Sequence, residues 1–174
     1  GADVVGGDEA VEASAGAAEY SGYQTLVDDS GTLTVDVPVE WADVSTAALT
    51  FDDGTTAPQI TAATSQADFS YTYSAPGLFY TVIGPIPDIA AAIESFAPAP
   101  GDCLTDAGLI DYSDSVFTGQ YRLWSDCGGV GASWVVLVAV PADSSYTAVI
   151  GAQLVTEADL AALDTAFATF NVTG

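Results

Sequence analysis

The sequence predicts an α+β fold, an α/β/α sandwich in which helices flank a central and mostly antiparallel sheet. Residues 134–140 are all apolar, and such a strand is stable only where both faces of its sheet are covered. Residues 146–155 form a second largely apolar strand, and the short turn between the two makes them an antiparallel pair. Apolar residues at helical spacing over 85–96 and 156–170 predict the covering helices. An all-β sandwich is the alternative, because the helix content is modest.

The predicted domain opens with a β-hairpin. Residues 23–27 form its first strand, and the Asp-Asp-Ser-Gly sequence at 28–31 is typical of a turn. The second strand, 33–37, alternates apolar and polar residues and ends at Pro38. Trp41 follows closely, and we expect its large ring to fill one end of the core.

The middle of the chain has weaker signals. Residues 59–63 predict a short strand, and residues 77–83 predict a buried one. The helix predicted over 85–96 carries its apolar side chains on one stripe, and Asp88 lies near its positive N-terminal end.

The C-terminal half has the clearest periodicity. Residues 116–124 predict a strand with one apolar face, while its other face carries Thr118, Gln120, Arg122 and Trp124. A final helix is predicted from Thr156, with Asp159 at the capping-box position. Its expected buried stripe comprises Leu160, Leu163, Phe167 and Phe170.

The charged residues exclude several functions. The chain has 24 carboxylates, one arginine, no lysine and no histidine, for a formal charge of -23. That charge repels nucleic acids and anionic membrane surfaces. Without histidine there is no Ser-His-Asp triad or HExxH zinc site, and without lysine there is no Schiff base. Halophilic adaptation is one explanation of the acidity. A secreted protein from an alanine- and aspartate-rich proteome is favoured, because only 14% of the residues are charged.

The two cysteines predict the cellular compartment. Cys103 and Cys127 cannot build a zinc site in a histidine-free chain, whereas a disulfide between them suits an extracytoplasmic protein. We therefore expect a secreted or envelope-anchored protein. The Gly/Ala/Glu-rich residues 1–20 predict a flexible linker to a removed N-terminal anchor, and residues 21–174 a single globular domain. Its longest apolar stretch is too short to span a membrane.

Two segments carry a family resemblance. The opening hairpin leads into LTVDVPVEW at 33–41, and TEADLAALDTAFATF at 156–170 closes the domain. Together they resemble the PsbP-like family of α/β/α sandwiches, which includes an extrinsic photosystem II subunit, a Ran-binding nucleotide-release factor and small secreted actinobacterial lipoproteins. The stretches 101–108 and 121–141 are similar to disulfide-bearing secreted members. The resemblance implies a protein that acts by binding partners and implies no catalytic residue.

Acidic residues near Cys103 are candidate ligands for Ca²⁺, which prefers carboxylate oxygens. The sequence contains no EF-hand loop, and no other cofactor is expected. The Asp-Asp pairs at 28–29 and 52–53 are better explained as turn residues, because Asp and Gly suit turn backbone angles. The candidate metal ligands are Asp102, Asp106, Asp111 and Asp114.

Arg122 is a candidate ligand-binding residue because it is the only basic side chain. With Gln120 and Trp124 on the same strand face, it could hold a carboxylate or a sugar through its forked donors beside an aromatic ring. The favoured alternative is structural, an arginine that pairs with a nearby aspartate and covers Trp124 with its stem.

A second candidate surface lies in the sequence FSYTYSAPGLFY at 69–80. Its aromatic residues could form a recognition patch, although packing in the core or at a sheet edge explains most residues of this kind. The residues concerned are Tyr71, Tyr73, Phe79 and Tyr80.

Three functions remain open. The leading hypothesis is a secreted, non-catalytic binding or accessory domain that engages a protein or another component of the cell envelope. The second is an acidic surface module that assembles through divalent cations. The third is a hydrolase with paired carboxylates, but the sequence has no motif that selects such a pair.

Overall fold

The computed structural model describes residues 19–173 and is dominated by one seven-stranded antiparallel sheet. Most of the predicted linker, residues 1–18, lies outside the described residues. In chain order the elements are β1 (Tyr23–Val27), β2 (Leu33–Pro38), β3 (Asp43–Ser45), β4 (Leu49–Thr50), β5 (Thr56–Ala57), β6 (Gln59–Ala63), α1 (Gln66–Tyr71), β7 (Gly77–Ile83), α2 (Ile89–Ser95), β8 (Cys103–Ser113), β9 (Phe117–Cys127), β10 (Ala132–Pro141), β11 (Thr147–Leu154), α3 (Glu157–Thr169) and β12 (Asn171–Val172).

The strand order of the large sheet is β3-β6-β7-β11-β10-β9-β8. Strand β10 pairs antiparallel with β11 on one side and with β9 on the other. The apolar run at 134–140 therefore lies inside the sheet, as predicted. Two smaller sheets complete the fold, one of order β12-β2-β1 and one formed by β4 and β5.

Side chains of β10 enter two separate cores. Leu137 and Ala139 pack into the larger core, which contains residues of α3 and β2, whereas Val136 and Val138 pack into a smaller core with α2. Because successive residues of a strand point to opposite faces, the two cores lie on opposite sides of the sheet. The predicted α+β class with a mostly antiparallel sheet is confirmed.

The sequence pattern does not predict the edge strand β8 or the helix α1. Most side chains of β8 are exposed, so neither alternation nor an apolar run marks it. Helix α1 has only six residues, and its start is stabilised by the Ser65 hydroxyl, which accepts a hydrogen bond from Asp68 N at 3.2 Å. Helix α2 is shorter than predicted, because Asp88 caps its first turn by accepting from Ala91 N. Within residues 19–173, no helix has the length and apolar composition needed to cross a bilayer.

Helix α3 begins as predicted, and Leu163, Phe167 and Phe170 of its predicted stripe pack in or against the larger core. Asp159 accepts hydrogen bonds from the backbone N–H groups of Val155 and Thr156, both at 2.8 Å, which confirms its capping role. The predicted buried stripe is wrong at Leu160, which is 50% exposed. Small alanines, among them Ala162 and Ala166, are fully buried and belong to the larger core.

Tyr20 belongs to the folded domain, although the sequence pattern places it in the linker. Its hydroxyl donates to the buried carboxylate of Asp159 and accepts from Trp41 Nε1 at 3.0 Å. The Tyr20 ring also packs edge-on against Trp41. Trp41 itself is fully buried, which confirms its predicted place in the core.

Cys103 and Cys127 form the predicted disulfide. The two residues are directly opposite each other in the register of β8 and β9. Because β8 is the last strand of the sheet, the disulfide attaches an edge strand covalently to its neighbour. A disulfide of this kind indicates an oxidising compartment.

Candidate functional site

Arg122 is bound by carboxylates of the protein itself. Its Nε donates to Asp106 Oδ1 at 2.9 Å, Nη2 donates to Asp106 Oδ2, and Nη1 donates to Glu94 at 2.8 Å. The guanidinium carbon lies 4.9 Å from the centroid of the buried Trp124 ring. Gln120 donates to a different carboxylate, Asp111. This is the geometry that the structural interpretation predicts, and ligand binding by Arg122, Gln120 and Trp124 stays a prediction.

The forked hydrogen bond from Arg122 and the N–H of Gly108 hold the pKa of Asp106 at about 2. A lowered pKa means that the ion pair stabilises the fold above the ordinary carboxyl pKa, and that this contribution is lost as the pH falls toward 2. Arg122→Met, which keeps an apolar stem over Trp124, should lower the free energy of unfolding by about 1 kcal/mol at pH 6 and by much less at pH 2.5. Urea unfolding at both pH values measures the difference.

Arg122→Ala separates stem packing from charge. Compared with Arg122→Met, it should lower the free energy of unfolding by a further amount that does not depend on pH, because the alanine uncovers Trp124 in addition to removing the ion pair. An equal loss for Arg122→Met at pH 6 and pH 2.5 would show that the ion pair does not contribute to stability.

The four aspartates predicted as Ca²⁺ ligands are not gathered into one site. Among residues 19–173, no three or more Asp, Glu, Cys or His side chains are placed to hold a metal ion. Each carboxylate instead accepts from a different side chain: Tyr73 for Asp102, Arg122 for Asp106, Gln120 for Asp111 and Tyr112 for Asp114. The expected convergence fails because Asp106 and Asp111 lie apart along the extended strand β8. Calcium binding itself stays a prediction.

The Asp-Asp pairs act as turn residues. Asp28 accepts hydrogen bonds from the backbone N–H groups of Ser30, Thr32 and Leu33, at 3.0, 2.8 and 2.7 Å. Burial raises the pKa of Asp28, but these hydrogen bonds outweigh it and hold the pKa below its usual value. Asp53 similarly accepts from the N–H of its own turn at 2.9 Å.

The better candidate site is an open cleft between α1 and the segment that joins α2 to β8. Its volume is about 280 Å³. We call it the aromatic cleft, because five of its lining residues are aromatic. Its principal lining residues are Phe69, Tyr71, Tyr73, Phe96, Asp102, Trp134 and Gln153.

Tyr73 is held rigidly on one wall of the aromatic cleft. Its ring lies so close to the backbone of Gly128 that a Cβ at that position would be 2.6 Å from a ring carbon. Its hydroxyl donates to Asp102 Oδ2 at 2.9 Å. Burial and this hydrogen bond raise the pKa of Tyr73 to about 12, so the hydroxyl stays a donor at neutral pH. The wall is therefore preformed.

Trp134 and Phe96 also line the aromatic cleft, and both rings pack against Phe79. The Phe79 ring packs against both, with centroid distances of 6.2 and 5.7 Å. Phe79 packs closely against Gly151, where a Cβ would be 2.1 Å from the ring. Trp134 Nε1 donates to the carbonyl oxygen of Phe96 at 2.9 Å. These contacts fix the orientation of both rings.

Gln153 supplies a polar group to the floor of the aromatic cleft. The residue is only 2% exposed. Its Nε2 donates to the carbonyl oxygens of Thr72 and Ala75, at 3.0 and 2.7 Å. Its Oε1 has no donor within residues 19–173. A buried acceptor without a partner is costly, so this oxygen favours a donor that a ligand or water brings.

Tyr71 stands at the rim of the aromatic cleft, at the C-terminal end of α1. It is 88% exposed, the largest value among the exposed large hydrophobic residues of the described chain. An aromatic ring held in solvent beside a preformed aromatic cleft is well placed to close over a ligand.

A second groove, also of about 280 Å³, lies on the other side of the α2–β8 segment and shares Ala97 and Pro98 with the aromatic cleft. Its carboxylates are Glu94 and Asp106, and both already bind Arg122. The aromatic cleft is therefore the stronger candidate, since its carboxylate is not neutralised by a basic side chain.

The sequence-predicted aromatic patch is only partly present. Tyr71 and Tyr73 line the aromatic cleft, whereas Tyr80 is buried in the larger core and Phe79 lies beneath the cleft. Sequence reasoning missed Gln153. The available signal in the sequence was that Gln153 is the one amide side chain in strand β11, whose other residues are apolar or small.

No family model matches the chain, and no curated protein matches it either. The resemblance to PsbP-like domains thus stays a prediction.

Proposed function

We propose that this chain is a secreted, non-catalytic binding domain that takes its ligand in the aromatic cleft. The observation that carries the proposal is the preformed state of the cleft. The rings of Tyr73 and Trp134 are held by packing at glycines and by hydrogen bonds, so a ligand would bind without the energetic cost of ordering them. Ligand sites of this kind are concave, mostly apolar and provided with a few polar groups.

The proposed architecture is the α/β/α sandwich of PsbP-like domains, and the proposed location is outside the cytoplasm. Cores on both faces of the sheet support the first, since one contains residues of α3 and the other Ile93 of α2. The disulfide supports the second. We further propose that the segment preceding Tyr20 tethers the domain to an anchor, so that the cleft is presented to partners at the cell envelope.

Binding is favoured over catalysis by the groups that the cleft presents. Its lining residues include one carboxylate, Asp102, whereas hydrolysis by paired acids requires two. The sequence contains no histidine or lysine that could serve as a base or a nucleophile there.

The proposal is tested by NMR titration of the ¹⁵N-labelled full chain with three ligand classes: cationic peptides, anionic peptides and cell-wall oligosaccharides. At least one class should give saturable shift changes concentrated on the Trp134 indole N–H and the Gln153 side-chain amide. Tyr71→Ala should weaken that binding about two- to fivefold, because it removes one aromatic contact.

Leu160→Ala is the matched control, because it truncates an exposed apolar residue on α3, on the opposite side of the sheet. It should leave binding unchanged. If none of the three classes perturbed the cleft resonances, or if shifts scattered over remote surfaces, the proposed function would be wrong.

A further inference from the structure

We propose that the aromatic cleft selects a cationic group on an apolar stem, the lysine or arginine side chain of a basic segment in a partner protein. This inference rests on the proposed function and specifies its ligand. It follows from three observations: the polar groups left free in the cleft, the aromatic faces of its walls, and the charge of the whole chain.

The interior of the cleft offers acceptors, while three of its side-chain donors are already used. Tyr73 donates to Asp102, Trp134 donates to the Phe96 carbonyl, and the Gln153 amide nitrogen donates to two backbone carbonyls. What remains for a ligand is the buried Oε1 of Gln153, the exposed carboxylate of Asp102 and the exposed hydroxyls of Ser70 and Tyr71, which can donate or accept. Gln153 Oε1 and Asp102 both favour a ligand that brings N–H or O–H donors, and the negative charge of Asp102 disfavours a carboxylate or phosphate.

The walls suit a cation. Ammonium and guanidinium groups are attracted to the faces of Trp and Tyr rings, most strongly where water is partly excluded. The apolar stem of a lysine or arginine would pack along the same rings while its charged end reaches Asp102 or Gln153. Tyr71, exposed at the rim, can close over that stem.

The charge of the protein decides between a cation and a neutral sugar. The formal charge is -23, and the one basic side chain, Arg122, is bound by Asp106 and Glu94 outside the cleft. A basic segment is drawn toward such a surface from a distance, whereas a sugar is not. A protein rich in lysine or arginine is accordingly the partner that the cleft fits.

The test is an NMR titration of the full chain with acetyl-lysine amide, acetyl-arginine amide and the neutral acetyl-glutamine amide as probes. The two cations should shift the Trp134 indole and Gln153 amide signals saturably, and the glutamine derivative should not. Raising the salt concentration from 50 to 500 mM should weaken cation binding, because it screens the charges.

Asp102→Asn removes the charge and keeps an oxygen that accepts from Tyr73. It should weaken binding of both cations about two- to fivefold. Asp164→Asn, an equal change of net charge at an exposed position on α3, should leave binding unchanged.

The outcomes separate this inference from the proposed function. If the glutamine derivative bound as well as the cations, or if Asp102→Asn and salt had no effect, the cation inference would be wrong. If cell-wall oligosaccharides occupied the cleft and the cations did not, the inference would fall while the proposed function would stand. If nothing bound in the cleft, both would fall.

Discussion

Replacing Gly119 by alanine should destabilise the protein by about 3 kcal/mol, the upper part of the usual range for overpacking a core. A Cβ at this position would lie 2.0 Å from the carbonyl oxygen of Val138 and 2.7 Å from Ala139 Cα. Both are backbone atoms of β10, the strand that separates the two cores. Because backbone cannot rotate away as a side chain does, β9 would have to shift away from β10.

Urea unfolding of the full chain measures this effect. The matched control is Gly84→Ala, where a Cβ would meet no atom within 4 Å. That change should alter the free energy of unfolding by no more than about 0.5 kcal/mol. Equal effects of the two substitutions would contradict the close approach of β9 and β10 at Gly119.

Removing the disulfide with Cys103→Ala and Cys127→Ala together should destabilise the fold by roughly 3 to 4 kcal/mol. The bond closes a loop with a sequence separation of 24, and its loss restores conformational entropy to the unfolded chain. The comparison is urea unfolding of the double variant against the oxidised protein, with the reduced unsubstituted protein as control. Variant and reduced protein should unfold at similar urea concentrations.

Hydrogen exchange shows where the disulfide acts. Since β8 is an edge strand, its amides should exchange faster in the double variant, while those of β10 and β11 exchange only as fast as the lower global stability dictates. A variant as stable as the oxidised protein would show that the bond adds nothing to the fold, and would remove one argument for an oxidising compartment.

The strands that the sequence predicts best are those whose hydrophobic pattern and turn residues lie within one short segment of the chain. The hairpin of β1 and β2 is confirmed because alternation and turn chemistry are local. Strand β10 is confirmed because a segment without polar residues must be covered on both faces, and in a chain of this size the middle of the sheet provides that cover. Helix α3 was predicted at its first turn, where Asp159 caps the backbone.

The predictions that failed needed knowledge of a neighbour. Leu160 fits the helical period, but the way α3 packs in the tertiary structure leaves it half exposed and buries Ala162 instead. The sequence of strand β8 has no alternating hydrophobic pattern. The strand is instead held in place by its pairing with β9 and by the disulfide. The four aspartates were close in sequence, but an extended strand keeps them apart.

For the aromatic cleft, the sequence shows which aromatic residues are present but does not show which of them come together in space. Tyr71 and Tyr73 belong to one aromatic stretch, yet Trp134 comes from β10 and Gln153 from β11, far along the chain. The sequence alone determined the charge, the disulfide pair, the central strand and the absence of histidine and lysine chemistry, since these follow from composition and local pattern. Tertiary structure decided which rings meet, which donors are used and which acceptor stays free, because those properties depend on distances between residues that are remote in sequence.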